Sequence, residues 1–342
     1  MAAPYTGTTD LANLVTAAYD RLIRLQLRSI PMFRTFADTK PVQQTHPGSS
    51  VIFQIHQDLA PVTAVLDETV DPAGVSLANT TPVTVTLNEY GNYTVVTKKL
   101  EAFNLDSSLD ANLANILAFN QADSVDRVVR GALEASTNMI RVIGGVLTPG
   151  SGVLTGITAT DSFSSKVARL AVAKLRGASV VPWTGEQYAG VVHPDVAHDL
   201  RVEASPNAWR SPHEYVDPGA LYAGEVGSWE GIRFVENPRC LIGMDAGATG
   251  TNVYSSYIMG REALAEAVSE EFHTVLNGRV VDPLDRKTAM GWYGIAGWNL
   301  FRPQSMFLVK TASTIGANTA GALEFGDSAK SSKRSSSKES SE

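Results

Sequence analysis

Six histidines, one cysteine and a few closely spaced acids are the side chains here that suit catalysis or metal binding. The histidines are His46, His56, His193, His198, His213 and His273, and only His193 and His198 lie close together. On a helix, five residues turn them about 140° apart, so they share no face for a metal even with Asp195 and Asp199 nearby. His193-Pro194-Asp195 reads instead as the opening of a helix, where an acid in the first turn favours the backbone dipole. Cys240 follows Asn237-Pro238-Arg239. A nucleophilic cysteine needs a partner histidine, which spacing in the sequence does not supply, so the reading is a buried structural thiol. One cysteine also excludes a disulfide within the chain and any site built on two thiolates. Asp282-Pro283-Leu284-Asp285 offers two carboxylates at a spacing open to acid–base work, but Asp before Pro is first of all a turn signature. Trp292, Tyr293 and Trp298 are not interleaved with basic residues, so they read as core and not as a platform for bases. No phosphate loop, dinucleotide fingerprint or nucleophile elbow occurs. The expectation is a chain with no catalytic, cofactor-binding or metal-binding residues, and not an enzyme.

Composition narrows the class. The chain has 342 residues, of which 44% are hydrophobic and only 18% charged. Charged residues normally make up about 25%. Either much of the surface is buried against other subunits, whose interface cores are poor in charge, or the surface is neutral and rich in Gly and Thr. The net charge of -7 lacks the basic signature of a free nucleic-acid binder. Met1–Leu14 contains no basic stretch followed by an apolar one, and no apolar run reaches the ~18 residues that would span a bilayer. The expected setting is cytosolic, with no membrane.

The elements follow from periodicity. Asp10 can cap a helix over 11–29 with an apolar stripe at Leu14, Ala17, Ala18, Leu22 and Leu25. Arg21, Arg24 and Arg28 share one of its faces, which is either a solvated basic face or a docking face for an acidic partner. Residues 50–56 and 80–87 read as strands joined by a long excursion with little that could form its own core. Long segments of that kind are usually functional, and an arm reaching a neighbour fits, with Glu68 and Asp71 as candidate contacts to basic groups. Residues 88–97 read as a further strand. A helix capped by Asp106 or Ser107 then runs to about Ile140, more than 30 residues and roughly 45–50 Å. Gly144-Gly145 and 149–152 read as a break between units. Beyond it, Asp161 is expected to cap a helix over 162–176, and a second helix follows at 194–203. Strands are expected at 188–193, 231–236, 253–259, 270–275, 293–300 and 306–309. Helix and strand without a βαβ rhythm is an α+β pattern. Residues 328–342 are Ser, Lys, Arg and Glu with Ala329 the only apolar side chain, a composition of disorder.

This order of parts resembles the major capsid proteins of tailed bacteriophages, the Hong Kong 97-type fold. Within that family the branch of the phage N-four coat protein is the more specific likeness. It rests on residues 86–100 (TLNEYGNYTVVTKKL), Val191-Val192-His193-Pro194-Asp195 with Asp199-Leu200-Arg201, residues 231–236 (GIRFVE), and Asp282-Pro283-Leu284 with Gly291-Trp292. The resemblance implies an N-terminal arm over 1–45, an extended β loop over 46–82 and a peripheral domain with a long spine helix over 83–145. An axial domain over 146–300 and a return to the peripheral domain over 301–327 would follow. It implies a structural shell subunit, self-assembling through hexamers and pentamers into an icosahedral head around double-stranded DNA. An encapsulin-like bacterial compartment shell is the alternative. Partners would be further copies of the chain, a separate scaffolding protein, a portal, a decoration protein, and packaged DNA held non-specifically. A strongly basic lining would grip that DNA by counterion release, which the negative net charge avoids. Location would be the virion, after assembly in the host cytoplasm. The family's type member cross-links its shell through a lysine in the extended loop, but residues 46–82 contain none, so no such bond is expected here.

Overall fold

The computed structural model describes residues 29–39, 49–103 except 64, 67, 70–73 and 78, and then 109–203, 225–276 and 286–315. After a single 3-10 turn at Phe33–Phe36, strand β1 covers Ala37–Thr39. Two strands, β2 (Ser50–Ile55) and β3 (Thr81–Thr86), pair antiparallel as the base of a long hairpin. Strand β4 (Asn88–Thr97) leads into helix α1 (Lys98–Phe103) and the long helix α2 (Leu109–Glu134). Next come strands β5 (Met139–Ile143) and β6 (Val146–Pro149), helix α3 (Ser165–Gly177), strand β7 (Tyr188–Val192) and helix α4 (Pro194–Val202). Strands β8 (Glu225–Trp229), β9 (Ile232–Glu236), β10 (Ile242–Gly243), β11 (Val253–Met259), β12 (Leu264–Leu276), β13 (Lys287–Leu300) and β14 (Met306–Thr311) complete the chain. The architecture is α+β.

The larger sheet runs β6-β5-β14-β11-β7-β9-β8, with β10 attached to β11. Its centre is buried on both faces, which is why every residue of β7 and β11 is buried, Ser255 and Ser256 included, and neither strand alternates. On one face, Val167, Ala171 and Leu175 of α3 and Val196 and Leu200 of α4 pack on Tyr254, Ile258 and Phe234. On the other, Val125, Val129 and Leu133 of α2 pack on Tyr257, Met259, Met306 and Leu308. Phe33 and Phe36 lock the N-terminal segment into that second core.

The smaller sheet runs β1-β12-β13-β4. Its sheet memberships differ from the expected segmentation. Residues 264–300, read with the second unit, pair with β4, whereas β14, read as the return to the first unit, lies inside the larger sheet. These pairings join strands far apart in sequence, and periodicity does not report partners.

Three local expectations also differ. Helix α2 has 26 residues, about 39 Å, because the chain turns at Ser136 and its next segment becomes β5, paired in parallel with β14. Gly144 and Gly145, expected to separate units, are the two central residues of the tight β5–β6 hairpin. Both have positive φ (59° and 74°), as a turn matched to strand twist requires. Asp161 does not cap α3. It accepts from Gly145 N (2.7 Å) and from Thr158 N and Oγ1 (both 2.8 Å). The first N–H of α3, on Ser165, is satisfied by Glu203 from beyond α4 at 2.7 Å.

The hairpin base crosses β13 closely. A Cβ at Gly297 would collide with the Thr86 carbonyl, so only glycine lets the two backbones meet. Gly297→Val is expected to unseat the hairpin base at a cost of about 1–3 kcal/mol. Limited proteolysis checks it: cleavage around residues 50–56 should quicken, and an unchanged digestion rate would contradict the prediction.

Candidate functional site

The hairpin is the first surface of interest. Along β2, exposure alternates residue by residue, so Val51, Phe53 and Ile55 face inward. With Val83, Val85 and Leu87 they pack on Ala265, Ala267 and Phe301. Between Ile55 and Thr81 the described residues form no strand or helix, and all of residues 56–63 are exposed. The exposed side chains include Leu59, Val62, Leu66, Val75 and Leu77, and Val65 is 97% exposed. Apolar side chains crowded on one protruding segment mark an interaction surface and not a solvated loop. Residues 56–80 also hold Asp58, Asp67, Glu68 and Asp71 with no lysine or arginine. At the hairpin base a cleft of about 540 Å³ opens between Thr81–Thr84 and Asn299–Gln304. Its only titratable lining residue is Arg302, so it offers no acid or base pair.

The far end of the smaller sheet is the second surface. Strand β4 lies at the sheet's edge, and Tyr93 and Val95 are exposed on it. Leu100 and Phe103 of α1 are exposed beside it. Lys98, Lys99, Arg286 and Lys287 are exposed at the same end, where Lys98 N–H donates to the Arg286 carbonyl.

Between these surfaces, α2 is fastened by buried charge. Arg239 is buried, and its Nε donates to Asp126 Oδ2 at 2.7 Å while its Nη2 pairs with Asp123. Asp126 Oδ1 accepts from the Phe33 backbone N–H at 2.7 Å, and Arg130 donates to the Arg239 carbonyl at 2.6 Å. One turn further on, Glu134 accepts from Tyr257 (2.6 Å) and from Lys310 (2.5 Å). The long helix is therefore held to the larger sheet and to the N-terminal segment by fixed partners, as a rigid strut needs.

The residues singled out for chemistry do not converge. Among the described residues no cluster of three or more His, Cys, Asp or Glu could hold a metal. His198 is largely exposed and lies 3.6 Å from Asp199, whereas Asp199 accepts from the Thr314 N–H and hydroxyl. Cys240 is buried, and burial pushes its thiol far above the ordinary range, so no reactive thiolate forms. Trp292 faces α2 and donates to Asn120 at 3.0 Å, and Trp298 stacks on Phe272. His46, His213 and the 282–285 turn lie outside the described residues. Of the candidate interface residues, Glu68 is exposed on the hairpin, and Arg21, Arg24, Arg28 and Asp71 lie outside the described residues.

His193 has a structural task. Its Nδ1 accepts the Asp195 N–H at 3.2 Å and so caps α4, which requires a neutral ring. Burial lowers its pKa below the ordinary value of 6.5, against the pull of Asp195. Between the two values the unfolded chain binds more protons than the folded one, so stability falls as pH drops from about 6.5 towards the folded pKa. His193→Asn keeps a capping acceptor without the titration. Denaturant midpoints at pH 7 and pH 5 should fall further for the wild type than for this variant, and parallel losses would contradict that assignment.

Sequence reasoning missed Arg239 as a buried anchor, since an arginine in an Asn-Pro-Arg turn looks like a surface residue. It also missed the exposed β4–α1 end, although the Tyr93/Val95 alternation was visible.

A family model described as phage capsid protein matches residues 13–320. No curated protein matches the sequence. Solved structures share the fold. The capsid of Ralstonia phage GP4 is 12% identical with a TM-score of 0.70, over 91% of this chain and 98% of that one. The capsid of the cyanophage P-SCSP1u is 14% identical with a TM-score of 0.67, over 91% and 96%. The acid-stable capsid of the Helicobacter pylori bacteriophage KHP30 is 12% identical with a TM-score of 0.60, over 91% and 99%.

Proposed function

This chain belongs to the phage capsid protein family and is a structural protein of the head shell, and from that premise we propose that it tiles the shell by non-covalent contacts, without catalysing any reaction. The observation that carries the reading is the hairpin. Its exposed apolar side chains meet no partner surface among the described residues, and a shell supplies one on the next subunit. Contacts of this kind are heterologous and close into rings, as hexamers and pentamers require.

The Hong Kong 97-type arrangement, and within it the branch of the phage N-four coat protein, is the finer placement we propose. Residues 1–45 are its arm and residues 46–82 its extended loop. The smaller sheet with α2 forms the peripheral unit, and the larger sheet with α3 and α4 the axial one. Residues 46–82 carry no lysine, so the loop supplies no amine for an isopeptide bond, and denatured shells are expected to run as single chains on a gel. A separate scaffolding protein, a portal and a decoration protein are the further partners, and assembly takes place in the host cytoplasm around non-specifically held double-stranded DNA.

Negative-stain electron microscopy of the expressed chain, alone and with its neighbouring genes, tests the reading. Closed shells or hexamer–pentamer plates are expected. Uniformly small particles under both conditions would overturn it.

A further inference from the structure

A closed shell needs two kinds of contact. Heterologous contacts close rings, and rings join across two-fold axes, where one patch meets a second copy of itself. Such a patch must be self-complementary, and the free edge of β4 is. Strand edges expose unpaired N–H and C=O groups, and proteins defend them with short strands, Pro, Lys or register breaks. The other three edges of the two larger sheets are defended in this way. Strand β1 has three residues, β6 has four and ends in Pro149, and β8 carries a register shift between Glu225 and Gly227. Strand β4 is ten residues long, holds no Pro or Lys, and pairs with β13 without a break.

The outward groups follow from the ladder. Lys98 N–H points to β13, where Arg286 accepts it, so alternation turns the backbone groups of Val95, Tyr93, Gly91 and Glu89 outward. Tyr93 N–H agrees, since it meets only the Asn92 side chain, at 2.9 Å. The side chains of Glu89, Tyr93, Val95 and Thr97 share one sheet face, and all four are exposed. The two ends of the edge also carry opposite charge. Exposed Lys98, Lys99, Arg286 and Lys287 stand at the Thr97 end. Exposed Glu89 stands at the other, with Glu270 two strands in on the same face. Among the described residues, Glu89 and Lys99 make no ion pair within their own chain.

We infer that β4 of one copy pairs antiparallel with β4 of a second across a two-fold axis through Thr94, so that two four-stranded sheets become continuous. Charge sets the direction. A parallel partner would lay the two lysine ends side by side, whereas an antiparallel one brings each to the other copy's Glu89. Side chains set the register. An axis through Thr94 places Glu89 opposite Lys99, Tyr93 opposite Val95, and Gly91 opposite Thr97. Moving the axis to Asn92 or Tyr93 places Glu89 opposite Val95 or Thr97 and leaves Lys99 without an acid. Backbone hydrogen bonds supply the affinity, and a carbonyl of the second copy replaces the Asn92 side chain at Tyr93 N–H.

This assignment rests on the shell reading, and the test separates the two. On the axis, Thr94 faces its own copy as a non-hydrogen-bonded pair with Cα atoms about 4.5 Å apart, within reach of a disulfide. The sole native cysteine, Cys240, is buried, so an engineered thiol cross-links over a quiet background. Shells of a Thr94→Cys variant are oxidised and run on a non-reducing gel. More than half of the chains should run as dimers and none as higher multimers, because each chain has one such edge. An equimolar mixture of Glu89→Cys and Lys99→Cys serves if Thr94→Cys does not assemble, with heterodimers as the expected product. Charge gives a second readout. Glu89→Lys and Lys99→Glu should each fold but form at least tenfold fewer shells, and combining them in one chain should restore the shells. Shells that form normally while every Thr94→Cys chain stays monomeric on the gel would overturn the assignment and leave the shell reading standing. Absence of particles from the wild-type chain would sink both.

Discussion

Replacing Arg239 with methionine is expected to destabilise the folded chain by about 3–5 kcal/mol, because it strands a buried carboxylate. Asp126 and Arg239 are both buried, and Arg239 Nε lies 2.7 Å from the Asp126 oxygen. Asp123 keeps a second partner in Arg127 at 3.1 Å, so the loss falls mainly on Asp126. The other Asp126 oxygen holds Phe33, so the damage spreads to the N-terminal segment and its β1 pairing. A loss of that size is a large share of the 5–15 kcal/mol typical of a folded domain. Denaturant unfolding reads it directly. Adding Asp126→Leu to Arg239→Met should recover part of the stability, since an apolar pair needs no desolvated charge, while the Phe33 N–H loses its acceptor. A single variant within about 1 kcal/mol of wild type would show that the pair does not anchor α2.

The second large effect concerns assembly and not stability. Replacing residues 57–79 by Asn-Gly closes β2 directly onto β3, whose Ile55 and Thr81 already face each other. The described residues among those excised are all exposed, so the melting temperature should change little. They nevertheless carry Leu59, Val62, Val65, Leu66, Val75 and Leu77. Burying six such side chains on a neighbour is worth of the order of 10 kcal/mol per subunit before association costs. Closed shells should therefore disappear while a folded monomer remains, as sedimentation and circular dichroism would show. Normal shells from the shortened chain would remove the hairpin from the assembly contacts.

Local structure was legible wherever side-chain pattern and backbone agree. Residues 88–97 and 253–259 read as strands to the residue, the first from its Tyr/Thr/Val run and the second from Val, Tyr, Ile and Met around Ser255 and Ser256. The His193-Pro194-Asp195 helix start was equally plain. Strands β12 and β13 were read short at their first halves, where Glu266 and Ser269 in the one and Lys287 and Gly291 in the other break the apolar pattern. The end of α2 was overrun because Ile140 and Val142 continue its apolar pattern into β5. Strand partners were not legible at all: β4 and β13 lie nearly two hundred residues apart in sequence, and nothing local records that pairing. The site was half visible. A long excursion without a core pointed to the hairpin, but an undefended strand edge shows only once its neighbours are known.

Cryo-electron microscopy of the assembled particles tests the account most directly. It predicts a closed shell of thin tiles, each fitting the two sheets and the 26-residue helix of one chain, with every hairpin lying against the adjacent copy. Discrete small oligomers, or shells in which the hairpins project into solvent without touching a neighbour, would contradict it.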